Sequence, residues 1–273
     1  MAAPVDRTAA FRALHEAGCF VIPNPWDVGS ARYLEMLGFK ALATTSSGFA
    51  WTLGRSDTRV TLDEVLVHLE AIAGSVAVPV NADFEGGYAV EPDGVAANVT
   101  RAALTGVAGI SIEDSTGDEA EPLFAFELAV DRIRAARQAL DASESGIVLT
   151  GRSEGFIAGR PDLAETIRRL TAYAEAGADC LYAPGLRSLD DVTAVVRAVA
   201  PKPVNVLVGS DFTTVAALAA AGVRRISVGG ALARAAWAGF IAAATEIAHD
   251  GTFARIGAAV PFAEIDGTFR DRR

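Results

Sequence analysis

Eight short runs of β-branched and apolar residues, each followed by a stretch of helical period, recur along the 273 residues of this chain. The runs lie at 19–25, 41–47, 79–84, 109–114, 147–153, 179–183, 203–208 and 225–229. The helical stretches cover 30–37, 62–73, 93–104, 126–142, 162–176, 189–200 and 213–220, and an eighth begins near Leu232. Gly38, Gly106, Gly177 and Gly222 each stand between a helix and the next strand, where a left-handed residue closes a helix. Strands alternating with helices pair in parallel and bury both faces. Eight such units close on themselves. A doubly wound open sheet is the rival, but no Gly-x-Gly-x-x-Gly follows the first strand. The expected fold is therefore α/β, a (β/α)8 barrel of the TIM type in one domain spanning 1–273.

The segment after His249 has no place in the eightfold pattern. It carries Phe253, Ile256, Val260, Phe262, Ile265 and Phe269, enough apolar surface to pack either on a neighbouring subunit or on its own barrel. The closing Arg-Asp-Arg-Arg is expected to be a solvated tail.

Composition narrows the function classes. A hydrophobic content of 51% supplies one large core, and a net charge of −10 disfavours nucleic acid and anionic membrane surfaces as partners. No uncharged run reaches the length of a membrane span, and the first residues lack the basic start and apolar stretch of a signal peptide. Cys19 and Cys180 fit no metal or redox spacing and read as core residues of a reduced, cytoplasmic protein. His15, His68 and His249 fall in helices or at their ends, away from the strand mouths, and are read as surface or helix residues. A Ser-His-Asp triad, a histidine acid–base mechanism and a zinc site have no support.

In a barrel of this kind chemistry belongs at the C-terminal strand ends. Strand three ends Val-Asn-Ala-Asp-Phe-Glu-Gly-Gly, where Asn81 and Asp83 share one side-chain parity and Glu85 sits beside a glycine pair. Strand four ends Ile-Glu-Asp at 112–114. Carboxylates on adjacent strand ends repel unless a cation lies between them, and Mg²⁺ takes such oxygen ligands. The same acids could instead pair with Arg152 or cap helices. Strand two ends in Thr-Thr-Ser-Ser-Gly-Phe, which can offer hydroxyls and N–H groups to an anion or enolate oxygen. Asp57 has no helix to cap, because Thr61 and Asp63 are better placed. Arg152 can clamp a carboxylate or phosphonate, or serve as a structural partner of Glu113 or Glu154. Asn205 is a polar residue in an apolar run that needs a partner, substrate being one candidate.

The ordered set Ile-Pro-Asn-Pro-Trp-Asp, Ser-Ser-Gly-Phe, Gly-Arg-Ser-Asp, Val-Pro-Val-Asn-Ala-Asp, Ser-Ile-Glu-Asp, Gly-Arg-Ser-Glu-Gly and Ser-Val-Gly-Gly-Ala-Leu-Ala-Arg resembles the isocitrate lyase/phosphoenolpyruvate mutase superfamily over nearly the whole chain. The resemblance implies a 2-oxo acid or enolpyruvate-like ligand held on Mg²⁺, with Mn²⁺ as the alternative ion. It places Ser46, Ser47, Gly48 and Phe49 with the substrate; Trp26, in the first shared motif, and Asn205, from the strand-seven reading, are the further substrate candidates. It makes Asp83 the principal metal aspartate and Glu113 the strand-four acid of the metal network; Glu85 and Asn81, from the strand-three reading, are the further candidate ligands. Asp57, Glu113 and Arg152 become the catalytic residues. It also implies a homo-oligomer, dimer or tetramer, whose C-terminal helices swap between subunits.

Two departures bear on substrate. Asn81 replaces the first aspartate of the superfamily's usual Asp-x-Asp. The loop Ser-Thr-Gly-Asp-Glu-Ala-Glu-Pro-Leu at 115–123 lacks the Cys and His of the isocitrate and methylisocitrate lyases and the Lys and Asn of the mutase. The expected activity is a Mg²⁺-dependent lyase that cleaves a C–C bond in a small 2-oxo or hydroxy acid through a stabilised enolate, a decarboxylase being the simplest case. The alternatives are P–C hydrolase or mutase chemistry on a phosphonopyruvate-like acid, and a barrel that binds a small acid without turnover. The 115–123 loop is expected to close over the site as a lid.

Overall fold

The computed structural model describes residues 6–270, so three of the four residues of the expected C-terminal tail lie outside it. Eight strands, β1 (Phe20–Ile22), β2 (Leu42–Ala43), β3 (Val80–Asp83), β4 (Gly109–Glu113), β5 (Val148–Arg152), β6 (Cys180–Tyr182), β7 (Val204–Leu207) and β8 (Arg225–Ser227), pair in parallel in the order β1-β8-β7-β6-β5-β4-β3-β2. The Ala43 N–H donates to the Pro23 carbonyl across the remaining seam at 3.1 Å, so the sheet is a nearly closed (β/α)8 barrel of the TIM type.

The helices are α1 (Arg7–Glu16), α2 (Val28–Met36), α3 (Ser46–Thr52), α4 (Leu62–Ser75), α5 (Pro92–Ala103), α6 (Phe126–Ala142), α7 (Leu163–Glu175), α8 (Leu189–Val199), α9 (Val215–Ala220), α10 (Ala231–Asp250), α11 (Ala254–Gly257) and α12 (Phe262–Phe269). Their starts are written in the sequence. Thr61 and Glu64 close a capping box on α4, and Asp162, Ser188 and Thr214 cap α7, α8 and α9. Each such cap contributes about 1 kcal/mol. Their stops are the expected glycines, with φ of 87° at Gly38, 84° at Gly106, 108° at Gly177 and 87° at Gly222.

Two helices were not anticipated from the sequence. The run expected as a strand over 41–47 is a two-residue strand followed by α3, because Thr45 turns extended and its hydroxyl caps the Gly48 N–H. Helix α1, capped by Asp6, precedes the first strand and delivers the fully buried Phe11 to the barrel interior. Phe11 packs there with Ile22, Ala41, Ala43, Ala108, Val148 and Cys180, which are small enough to leave room for its ring. Gly109 belongs to the same fit: a Cβ would stand 2.6 Å from the Phe11 ring and 2.5 Å from Asn81 Oδ1. The larger apolar cluster, including Leu69, Ile110, Ile133, Leu149, Leu170 and Val195, lies between the strands' outer faces and the helices.

His15 and His68 lie on helices α1 and α4, as read, but pack against aromatic rings rather than standing free at the surface. His15 sits edge-on between Phe11 and Phe20, and burial with the nearby Arg225 charge lowers its pKa to about 3. His68 is buried on α4 and stacks on Phe49 at 3.8 Å between ring centroids.

The chain divides into two compact units, Met1–Gly230 and Ala231–Arg273, a boundary the eightfold rhythm does not reveal. The second unit holds α10–α12. Glu246 ties α10 to α11 by accepting from the Thr252 hydroxyl and the Ala254 and Arg255 N–H groups at 2.5, 2.8 and 2.9 Å. Helix α10 exposes Trp237, Phe240, Ile241 and Ile247. Despite Arg234 and Glu246, its 20 residues are long and apolar enough, by length and composition, to cross a membrane.

Candidate active site at the barrel mouth

Every second side chain of a barrel strand points inward. At the C-terminal ends of β3, β5 and β6 these are Asp83, Arg152 and Tyr182, which line a cavity of about 180 Å³ with Asn24, Thr44, Thr45, Ser46, Ser47, Asp57 and Asn81 among others. Asp83 is fixed from two sides. Its own N–H donates to the Thr44 hydroxyl at 2.9 Å, and its Oδ2 accepts the Ser46 N–H, the first of α3, at 3.0 Å. The carboxylate thus sits at a helix start where backbone donors lack intrahelical acceptors.

Arg152 is the electrostatic centre of the mouth. Its Nη1 lies 3.1 Å from Asp83 Oδ1 and 3.0 Å from Glu113 Oε2, and its other face is forked on Glu154, with Nη2 to Oε2 at 3.2 Å. The guanidinium carbon stands 5.2 Å from the Tyr182 ring centre. The expected substrate clamp is therefore engaged by three carboxylates in this structure, which is the structural pairing left open above. Glu154 is anchored through its N–H to Asp114 Oδ1 at 2.7 Å, and Asp114 in turn accepts from Tyr173 and Arg169 at 2.6 and 3.1 Å. That outward-facing buried trio fixes the strand ends beneath the mouth.

The acids outnumber their cation. Burial, offset by Arg152 and reinforced by Glu154 and Asp83, pushes Glu113 well above the ordinary carboxylate range. Burial raises Glu85 to about 7 even though the Tyr88 hydroxyl donates to it at 2.8 Å. Asp57, at the rim, is raised by desolvation and then by the Asp83 charge. Burial is the first cause in all three, and the neighbouring carboxylates add to it. Among the described residues no three Asp, Glu, His or Cys side chains converge as a ready cage for a metal ion. The donor set nevertheless suits a hard divalent cation that keeps several waters and needs only one or two carboxylates. Asp83, with its oxygens on the cavity, is the residue placed to hold it.

The structure brings together some of the residues read from the sequence and separates others. Asp57, Asp83, Arg152, Ser46, Ser47, Asn81 and Asn205 line one cavity. Glu85 and Glu113 stand behind it, within electrostatic reach of Asp83 but off its wall. Gly48, Phe49 and Trp26 do not line it either. The Gly48 and Phe49 N–H groups are bonded to Thr45, the Phe49 ring is taken by His68, and the Trp26 N–H donates to the Ser30 hydroxyl at 3.1 Å. Asn81 lies one layer below Asp83, where its amide donates to the Ala82 carbonyl at 3.0 Å. Asn205 has protein partners, donating to the Ser227 hydroxyl at 2.9 Å and accepting from Arg225 at 2.9 Å.

The sequence reading missed Asn24, whose amide donates to the Thr44 carbonyl and whose oxygen accepts the Val228 and Gly229 N–H groups, stitching β1, β2 and β8 at the mouth. Its flanking prolines were the available signal. The loop 115–123 folds back on itself through a Ser115–Leu123 bridge and contributes nothing to the cavity wall.

Residues 11–248 match the sequence profile of the phosphoenolpyruvate phosphomutase family. The chain belongs to that family. It is thereby an enzyme of the isocitrate lyase/phosphoenolpyruvate mutase superfamily, whose lyases and mutases depend on a divalent metal. A solved Burkholderia cenocepacia protein of the lyase/mutase class is 48% identical with a TM-score of 0.94, covering 97% of this chain and 96% of that one. Oxaloacetate acetylhydrolase, solved with its product oxalate, is 27% identical with a TM-score of 0.85 over 97% of this chain and 94% of its own. The oxaloacetate decarboxylase of Bradyrhizobium diazoefficiens is 32% identical over 192 residues, 66% of this chain and 64% of that protein.

Proposed function

We propose that this family member is a Mg²⁺-dependent C–C lyase, with Mn²⁺ able to substitute, that decarboxylates a short 2-oxo acid of the oxaloacetate type. The observation that carries the reading is Asp83, which faces the cavity with Asp57 and Arg152 and accepts the first N–H of α3. When bound there, a divalent ion would supply a Lewis acid for charge developing on a substrate oxygen. Ser46 and Ser47 would orient that end of the ligand. Arg152, once a cation shares Asp83, would turn one or both Nη atoms to a substrate carboxylate. Asp57, kept more readily protonated than an ordinary aspartate, would deliver a proton to the carbon left by CO₂.

Decarboxylation requires an electron sink and a proton source but no thiol acid, in keeping with a 115–123 loop free of Cys, His, Lys and Arg. Kinship with a phosphomutase keeps P–C cleavage of a phosphonopyruvate-like acid as the second reading. The 115–123 loop offers no Lys, Arg or His to hold its phosphonate. The exposed apolar residues of α10 suit burial in a homodimer or homotetramer.

The test is direct. The Mg²⁺-loaded protein is incubated with oxaloacetate and with phosphonopyruvate, and pyruvate and phosphate are followed. Pyruvate from oxaloacetate above the metal-only background supports the reading; phosphate release from phosphonopyruvate alone replaces it with P–C chemistry.

A further inference from the structure

Arg225 opens β8 inside the barrel, 3% exposed, and lines the same cavity as Asp83 and Arg152 from below. Its partners are all neutral. Nε donates to Asn205 Oδ1 at 2.9 Å, Nη2 to the Thr150 hydroxyl at 3.0 Å, and Nη1 lies 3.3 Å from His15 Nε2 and 3.5 Å from Asn81 Oδ1. Among the described residues Arg225 forms no ion pair, whereas Arg152, the other cationic side chain on the cavity wall, holds three carboxylates.

A buried charge without an opposite charge is costly. The four contacts use four of the guanidinium's five N–H groups, and all four partners are neutral. The layer it occupies is polar where barrels of this type are packed with branched apolar side chains. Thr150 stands two residues before Arg152 on β5, so this layer lies about 6.6 Å below the mouth. That is within the span of a three- or four-carbon diacid.

We propose that Arg225 is the anion subsite at the floor of the pocket, taking the second carboxylate of a short dicarboxylic acid whose other end is held at the mouth. The assignment rests on the reading of the mouth as a site for short 2-oxo acids and adds selection for dianions. Asn205 and Thr150 aim the guanidinium, and its full charge remains available because no protein carboxylate shares it.

The test uses the full-length, Mg²⁺-loaded protein in calorimetric titrations with malonate and succinate as dianions and pyruvate as monoanion. Arg225→Gln should weaken the dianions about 10- to 100-fold, the size of a lost charge-assisted hydrogen bond, and leave pyruvate within about 2-fold of its original affinity on the same basis. Asn205→Asp keeps the arginine and gives it a fixed counter-charge. It should raise the melting temperature yet weaken the dianions as Arg225→Gln does, and it carries the test alone if Arg225→Gln fails to fold. A purely structural arginine predicts the rise in melting temperature without the loss of dianion binding. Equal loss of pyruvate and dianions, or no dianion preference in the original protein while pyruvate still binds, overturns the subsite alone. Failure of the original protein to bind pyruvate or either dianion would instead remove the 2-oxo acid reading, and the subsite with it.

Discussion

The mouth and the floor of one cavity carry opposite imbalances. At the mouth Arg152 stands among Asp83, Glu113 and Glu154, with Glu85 and Asp57 adding negative potential from behind and from the rim. At the floor Arg225 stands among an amide, a hydroxyl and a neutral imidazole. The upper layer lacks a cation and the lower lacks an anion, although both are built on arginines aimed inward from barrel strands. A metal carboxylate complex corrects both imbalances in one binding event, and that complementarity is stronger support for the proposed chemistry than either arginine alone.

The sharpest way to break the contrast is at its upper pole. Asp83→Ala removes an acid that faces the cavity and accepts the Ser46 N–H of α3. Turnover of oxaloacetate should fall at least about 10³-fold, as expected when the group holding a catalytic ion and its ligand is lost. Thermal stabilisation by Mg²⁺ should vanish. A variant that still melts higher with Mg²⁺ would move the ion elsewhere in the barrel.

Next in size is the stability of the mouth itself. Arg152→Met leaves Glu113 and Glu154 buried without their cation, and breaking a buried pair from one side costs about 3–5 kcal/mol. The metal-free variant should unfold at lower denaturant by that amount, and Mg²⁺ should recover part of it. Recovery is the discriminating feature, because a cation relieves the electrostatic fault but not a packing defect. The matched control lies at the bottom of the barrel: Phe11→Ala should cost a similar 3–5 kcal/mol by opening a cavity, with no response to Mg²⁺.

How much of this was legible beforehand divides along the same line. The barrel was readable because its signals are local: period, caps at Thr61, Asp162 and Ser188, and left-handed glycines between helix and strand. Asp83, Arg152 and Ser46 were readable because chain order places them at strand ends, and Asp57, in the loop after α3, through the Gly-Arg-Ser-Asp motif. Helix α3 was not, since Thr-Thr-Ser-Ser reads as the end of a strand until the Thr45 cap is seen. Phe49 and Trp26 stood in motifs whose neighbours face the cavity, but helix geometry turns the Phe49 ring to His68 and leaves Trp26 off the wall. The floor was invisible because it assembles from β3, β5, β7, β8 and α1. Arg225 announces itself only by alternating with Ile226 and Ser227, and Asn205, read as a substrate group, meets a protein partner 20 residues away in sequence. Long-range polar pairing has no sequence period to betray it.

The smallest effect follows from proton competition at the mouth. Glu85 has an ordinary pKa of 4.5 and is raised to about 7 in the fold, first by burial. The folded protein therefore binds this proton more tightly than the unfolded chain. Its contribution to stability is fully present below 4.5 and is lost as the pH rises through 7. Metal-free protein should accordingly melt lower at pH 8 than at pH 5.5. A divalent ion favours the ionised acids, so its affinity should run the other way, weakening by up to about 10-fold for each pH unit below 7 if one proton is displaced. Glu85→Gln should flatten both slopes without abolishing them, because Glu113, also raised, titrates in the same field. Melting curves with and without Mg²⁺ across this range measure both. If Mg²⁺ affinity is unchanged between pH 5.5 and 8, the acids behind Asp83 do not feel the ion, and the charge deficit of the mouth must be met by substrate and Arg152 alone.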